Sequence, residues 1–126
     1  MRKLCIVLAL FLSFKGVTQK NETIGTASYY HQKFHGRKTA TGEKFDINGM
    51  TAASNSLPLG TLVKVTNLKN GNTVIVKIND RMNAKNKRLI DLSFQAAKEL
   101  DFIKSGTCKV KVVKVSQLQY DTDKNQ

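Results

Sequence analysis

Leu62-Val-Lys-Val-Thr-Asn-Leu-Lys-Asn-Gly-Asn-Thr-Val-Ile-Val-Lys-Ile-Asn-Asp-Arg81 decides the fold class of this chain. Leu62 to Thr66 alternates apolar and polar residues, the period of a strand with one buried face. Val74 to Ile78 is nearly all apolar and β-branched, which suits a strand covered on both sides. Between them stands Asn70-Gly71, flanked by Lys69 and Asn72. Glycine supplies the positive φ that a tight hairpin needs, so the two strands are expected to pair antiparallel. The second strand runs out into polar residues at Asn79-Asp80-Arg81.

Working outward, Lys109 to Val115 alternates again, with a doubled valine at Val112 and Val113 that reads as a small bulge. Thr26 to Tyr30, Met50 to Ala53 and Arg88 to Leu92 are shorter strand candidates. One helix is predicted: Ser93 as N-cap, then Phe94 to Leu100, with Phe94, Ala97 and Leu100 on one face. Several strands, one short helix and a single proline point to a mainly β domain. A small closed barrel with a helical insert would remove exposed strand edges. Periodicity alone leaves an open sandwich as the alternative.

The 126 residues allow one domain. Residues 1–18 read as a secretory signal peptide: Arg2 and Lys3 precede an apolar run, Leu4 to Phe14, too short to span a bilayer. Cleavage near Thr18 would leave no stable membrane anchor and send the chain across the inner membrane, to the periplasm or cell envelope. Cys5 lies early in that run, where a lipid-acceptor cysteine would follow it. Cys108 is then alone, with no internal disulfide partner, and is expected to act as a small apolar residue. The folded part is expected over residues 25–118, with 119–126 a frayed polar tail. Removal of Arg2, Lys3 and Lys15 lowers the net charge from +12 to +9, which favours polyanions. Outside the cytoplasm an anionic cell wall or membrane surface is the better partner than nucleic acid. No stripe of aromatics interleaved with Lys or Arg supports nucleic-acid binding. The expected assembly is a monomer.

Chemistry concentrates in two polar blocks, Gly25 to Asp46 and Asn79 to Arg81. Three carboxylates, Glu43, Asp46 and Asp80, lie near Tyr, His, Thr and Arg, the composition of a site for a polar, uncharged substrate such as sugar. Two histidines and one mature cysteine give no metal-ligand spacing, and no cofactor is expected. Asp80 ends an apolar strand, where a short acidic side chain can project into a groove. Tyr29 and Tyr30 alternate, so at most one lines that groove. Histidine is a common acid/base group, but Phe34-His-Gly-Arg37 reads as a loop and gives His35 a structural role. Arg37 and Arg81 suit a substrate carboxylate. Asp91 reads as structural, bonding barrel backbone. Ser54 lacks a base or a Gly-x-Ser-x-Gly setting and is no nucleophile.

Gly25-Thr-Ala-Ser-Tyr-Tyr30, Phe34 through Asp46, Thr51-Ala-Ala53, Leu57-Pro-Leu-Gly60, Val63 through Leu68, Asn70-Gly71, Val76 through Arg81 and Arg88 through Ser93 occur in that order. Together they resemble the RlpA family (rare lipoprotein A) of lytic transglycosylases. The resemblance implies a six-stranded double-psi β-barrel related to expansins. It implies endolytic action on peptidoglycan glycan strands, cutting the β-1,4 bond between N-acetylmuramic acid and N-acetylglucosamine. The muramic C6 hydroxyl would attack its own anomeric carbon and leave a 1,6-anhydro end.

Mapped on that family, Asp80 is the expected acid/base group, with Glu43 and Asp46 as catalytic partners facing the same groove. Tyr30, Arg37, Ser54 and Arg81 are the expected substrate-binding residues. Two positions depart from the family pattern: Ser54 stands where His usually follows Thr-Ala-Ala, and Met82-Asn83 where Gly-Pro often follows Asn-Asp-Arg. The missing His supports an alternative, a non-catalytic glycan-binding or expansin-like wall-loosening barrel.

Overall fold

A computed structural model describes residues 22–125, so the leader reading lies outside the described residues. Six strands close into one barrel: β1 (Glu22–Tyr29), β2 (Thr51–Ala53), β3 (Leu62–Asn67), β4 (Thr73–Asp80), β5 (Ile90–Leu92) and β6 (Cys108–Val115), joined in the order β1-β5-β2-β4-β3-β6. Pairs β1/β5 and β2/β4 are parallel. The other four are antiparallel. The barrel is therefore mixed, and closure leaves it without a free edge.

The hairpin forms as the central stretch predicts. β3 and β4 pair from Leu62↔Lys77 to Thr66↔Thr73, and Gly71 turns the chain at φ 81°. Alternation sends Val63 and Val65 of β3 inward, where they meet Val74, Val76 and Ile78 of β4, Ile90 and Leu92 of β5, and Val110 and Val112 of β6. Asn67, fully enclosed at the end of β3, is satisfied: its amide donates to the Leu100 carbonyl at 2.8 Å and its oxygen accepts from Lys69 N–H at 2.9 Å.

Helix α1 (Phe94–Glu99) starts where expected, with Ser93 Oγ accepting the Ala96 N–H at 3.2 Å. Ala96, Ala97 and Leu100 bury fully, and the helix packs on β4 and β1. Two local expectations are corrected. No bulge sits at Val112-Val113: β6 keeps register with β1 and β3 through both, and Val113 turns outward opposite Lys64 and Glu22. The shift lies instead between Ala52 and Ala53, where β2 skips a residue of β4. The segment read as a frayed tail is a second helix, α2 (Gln117–Lys124), capped by Ser116 on Gln119 N–H at 3.0 Å. No described helix is long and apolar enough to cross a membrane.

Candidate active site

The β2/β4 register shift builds the site. Ala52 pairs with Ile78, but Ala53 pairs with Asp80, so Asn79 is passed over. A bulge of this kind changes the face to which the next side chain points. On its other side Ala53 pairs with Asp91 of β5, and Asp91 pairs with Ser28 of β1. Asp80 and Asp91 thus flank one alanine from two neighbouring strands, with Cα atoms about 10 Å apart at the usual interstrand spacing. Ala53, Asp80 and Asp91 line one cavity of about 470 Å³, together with Tyr30, Phe34, Arg37, Phe45 and Arg81.

Asp80 is held on three donors. Tyr30 Oη donates to Oδ2 at 2.7 Å, while the backbone N–H groups of Ala40 and Arg81 donate to Oδ1 at 3.0 and 2.9 Å. Burial, and then the Asp80 hydrogen bond and charge, push the Tyr30 phenol far above its ordinary value, so it stays a donor. One face of the Tyr30 ring is covered by Phe45, stacked at 4.2 Å, and Phe34 meets it edge-on at 6.2 Å. Tyr29 turns away, as alternation requires. Its hydroxyl donates to the Ile103 carbonyl at 2.9 Å, and its ring contacts Phe94 and Phe102.

Asp91 is in a different state. Among the described residues its Oδ1 accepts only the Ser28 hydroxyl, at 2.8 Å. Burial raises its pKa and the Asp80 charge adds to that, opposed by the Ser28 bond and the charges of Arg88 and His31. Read in the sequence as a residue bonding barrel backbone, Asp91 instead bonds a side chain and opens on the cavity. A signal was present: an acid between Ile90 and Leu92, both fully buried, is costly without a specific partner.

Of the three acids expected to face one groove, Asp80 lines this cavity. Glu43 lies outside the cavity lining. It accepts the Thr41 hydroxyl at 2.9 Å and pairs with Lys77 at 3.1 Å. The Thr41 bond first, then Lys77, hold its carboxyl below the usual range. Its backbone carbonyl accepts Thr39 N–H and Thr39 Oγ1, each at 2.7 Å, closing the turn that presents Ala40 to Asp80. Asp46 also lies outside the lining and accepts Asn48 N–H at 2.9 Å, a local turn bond.

Of the expected binding residues, Tyr30, Arg37 and Arg81 reach the cavity. Arg37 lies over Phe34, 5.2 Å from the ring centre. Arg81 Nη1 donates to the carbonyls of Ser54 and Leu57, which ties it to the loop after β2. Ser54 does not reach the cavity. It is fully buried, donating to the Leu89 carbonyl at 2.9 Å and accepting Leu57 N–H at 3.2 Å. His35 Nδ1 accepts Ile47 N–H at 3.2 Å, a loop-holding role. Among the described residues, no three His, Cys, Asp or Glu side chains converge as metal ligands do.

The lytic transglycolase family model matches residues 22–112. The endolytic peptidoglycan transglycosylase RlpA of Pseudomonas aeruginosa strain UCBPP-PA14 is 53% identical over 97 residues, 77% of this chain and 28% of that protein. The protein of the same name from Neisseria meningitidis serogroup A is 45% identical over 106 residues, 80% of this chain and 44% of that protein. This chain therefore spans less than half the length of these relatives. The apo expansin of Clavibacter michiganensis superposes with a TM-score of 0.61 at 25% identity, covering 76% of this chain and 51% of that one. The closed mixed barrel is of the double-psi type shared with expansins. Matched over most of its length by the lytic transglycolase model, the chain belongs to the RlpA family.

Proposed function

We propose that this chain is an envelope peptidoglycan lytic transglycosylase that binds glycan strands in the Asp80–Asp91 cavity. The observation that carries the reading is Asp80 itself: a carboxylate fixed on three donors at the wall of a cavity, with a second acid facing it across Ala53. Relatives named as RlpA transglycosylases support the reaction class.

In the proposed reaction Asp80, protonated, gives its proton to the glycosidic oxygen as the muramic C1–O bond breaks. The leaving N-acetylglucosamine then carries a free hydroxyl. The C6 hydroxyl oxygen of the same muramic ring bonds to C1 and returns its proton to Asp80. No water is consumed, and the acid is regenerated. Asp91 supplies negative charge to the electron-poor C1 as the bond breaks. Tyr30 orients Asp80 once it is ionised. Glu43 acts at a distance, shaping the turn that presents Ala40 N–H. Arg37 and Arg81 line the wall that meets the muramic lactyl group.

Digestion of denuded glycan strands followed by mass spectrometry tests this. Wild-type protein is expected to produce 1,6-anhydro ends, and Asp80→Asn to lower their rate by at least about a hundredfold with the fold intact by circular dichroism. New reducing ends without the anhydro mass deficit would mean hydrolysis instead. One observation favours a second reading, a non-catalytic glycan-binding barrel. At the family's histidine position Ser54 is buried on backbone partners and offers the cavity no titratable group. Strand binding with no new ends of any kind would select that reading.

A further inference from the structure

The loop joining β4 to β5, Met82-Asn-Ala-Lys-Asn-Lys-Arg88, opens with Met82-Asn83, one of the two departures from the family pattern. It is a constructed loop. Asn83 Oδ1 accepts Lys85 N–H at 2.9 Å, and Asn86 Oδ1 accepts Arg88 N–H at 3.0 Å. Asn86 N–H donates to the Asn83 carbonyl at 2.9 Å. Asn55 clamps the other side, donating to the Asn83 carbonyl at 3.0 Å and accepting Met82 N–H at 2.9 Å. Leu89 N–H donates to the Thr26 carbonyl at 3.0 Å and pins the far end to β1.

This framework holds three cations at the surface. Lys85, Lys87 and Arg88 line a shallow groove with Thr26, Asn83 and Asn86. Asn83 and Asn86 also line the Asp80–Asp91 cavity, so groove and cavity adjoin across these two residues. No acidic residue lines the groove. Among the described residues the two ion pairs are Lys77–Glu43 and Lys111–Glu22, so none of the three makes a direct ion pair there, although the Arg88 charge is felt by Asp91. Three cations on this loop extend the positive charge that Arg37, Lys38 and Arg81 bring to the wall of the cavity around Asp80 and Asp91. A neutral sugar gains little from that arrangement, whereas an anion on the next part of the same polymer gains directly.

We propose that Lys85, Lys87 and Arg88 form an anion subsite, which binds carboxylates carried by muramoyl residues neighbouring the one that is cut. The inference rests on the glycan-binding reading of the cavity. The repeat of the polymer suits it: with one acid-bearing sugar in every two, a cut site in the cavity leaves the next acid beyond it. The carboxylate can be a free lactyl group or belong to a peptide stem, and the two sources are separable.

The test compares wild-type protein with a Lys85→Ser, Lys87→Ser, Arg88→Gln variant on three probes: denuded glycan strands, peptide-bearing strands, and chitohexaose, which lacks carboxylates. The expected result is a loss of roughly tenfold or more in the variant's affinity for at least one acid-bearing strand, and no matching loss for chitohexaose. The wild-type advantage should vanish at about 1 M salt, where charges are screened within about 3 Å. A Lys85→Arg, Lys87→Arg variant should keep it. A larger effect on denuded strands assigns the lactyl group, and a larger effect on peptide-bearing strands assigns the stem. Equal affinities of wild type and triple variant for both strands overturn the subsite while the cavity reading stands. A parallel loss on chitohexaose also overturns it. Wild-type protein that binds none of the three probes removes the cavity reading and the subsite together.

Discussion

Two aspartates one alanine apart in space live in opposite environments. Asp80 accepts three hydrogen bonds, and Asp91 accepts one and is largely buried. The Tyr30 hydroxyl is the link most open to test, because Tyr30→Phe removes the donor to Asp80 and leaves the ring on Phe45. We expect the rate of 1,6-anhydro end formation to fall roughly tenfold, with a stability cost of only about 1 kcal/mol, measured by mass spectrometry and urea unfolding. Asp91 makes a pH prediction. Its raised pKa means that the folded chain holds this proton more tightly than the unfolded chain does. The stability this gives is complete below the ordinary value of 3.8 and is lost as pH rises through the folded value. Asp91→Asn does not titrate and can still accept from Ser28. The variant should match wild type near pH 3.8 and gain on it toward neutrality in urea unfolding. A wild type that gains on the variant as pH rises would contradict the burial argument.

At the scale of elements, the site depends on short pieces held in register by close approach. Gly25 of β1 faces Leu89, and a Cβ at Gly25 would lie 2.7 Å from Leu89 Cβ. Leu89 closes the basic loop and its carbonyl accepts Ser54 Oγ, so the clash strikes where β1, the loop and the segment after β2 meet. Gly25→Ala is expected to cost about 1–3 kcal/mol, read as a lower Tm, because the neighbour is a packed Cβ and not the end of a flexible chain. The second helix shows how an element escapes a hydrophobic pattern. Leu118 is 77% exposed, and α2 buries no residue. Its support is local: the Ser116 cap and bonds from Gln117 to Asp121 at 3.1 Å and from Gln119 to Asp123 at 2.9 Å. The Ser-x-x-Gln spacing is the signature of such a start and was legible. The Ala52/Ala53 shift was not, since two small residues carry no mark of where a partner strand slips.

At the scale of the whole molecule, closure makes stability collective. β1 and β5 pair through residues more than sixty positions apart, Ala27↔Ile90 to Tyr29↔Leu92, and Leu92 also faces Ala52. Leu92 is fully enclosed, so Leu92→Ala should cost about 2–5 kcal/mol and lower a single cooperative transition without splitting it, checked by urea unfolding with two spectroscopic probes. The hairpin, the strands and the capped helix were legible because each is written in neighbouring residues: alternation, Asn-Gly, Ser93 before an amphipathic run. Asp80 was legible as well, as an acid at the end of an apolar strand. Its partner was not. Glu43 and Asp46 stood out because they are acids in a polar, glycine-rich block, yet Asp46 is satisfied within its own turn and Glu43 by Thr41 and by Lys77 of β4. Asp91 reads as a structural strand residue, and only the placing of β2 between β4 and β5 sets it across Ala53 from Asp80. Local patterning sets which residues extend, turn or coil, since those energies involve near neighbours. Only the closed barrel decides which acids share a cavity, because that depends on one register slip and on parallel pairings between distant strands, and neither has a counterpart in the order of residues along the chain.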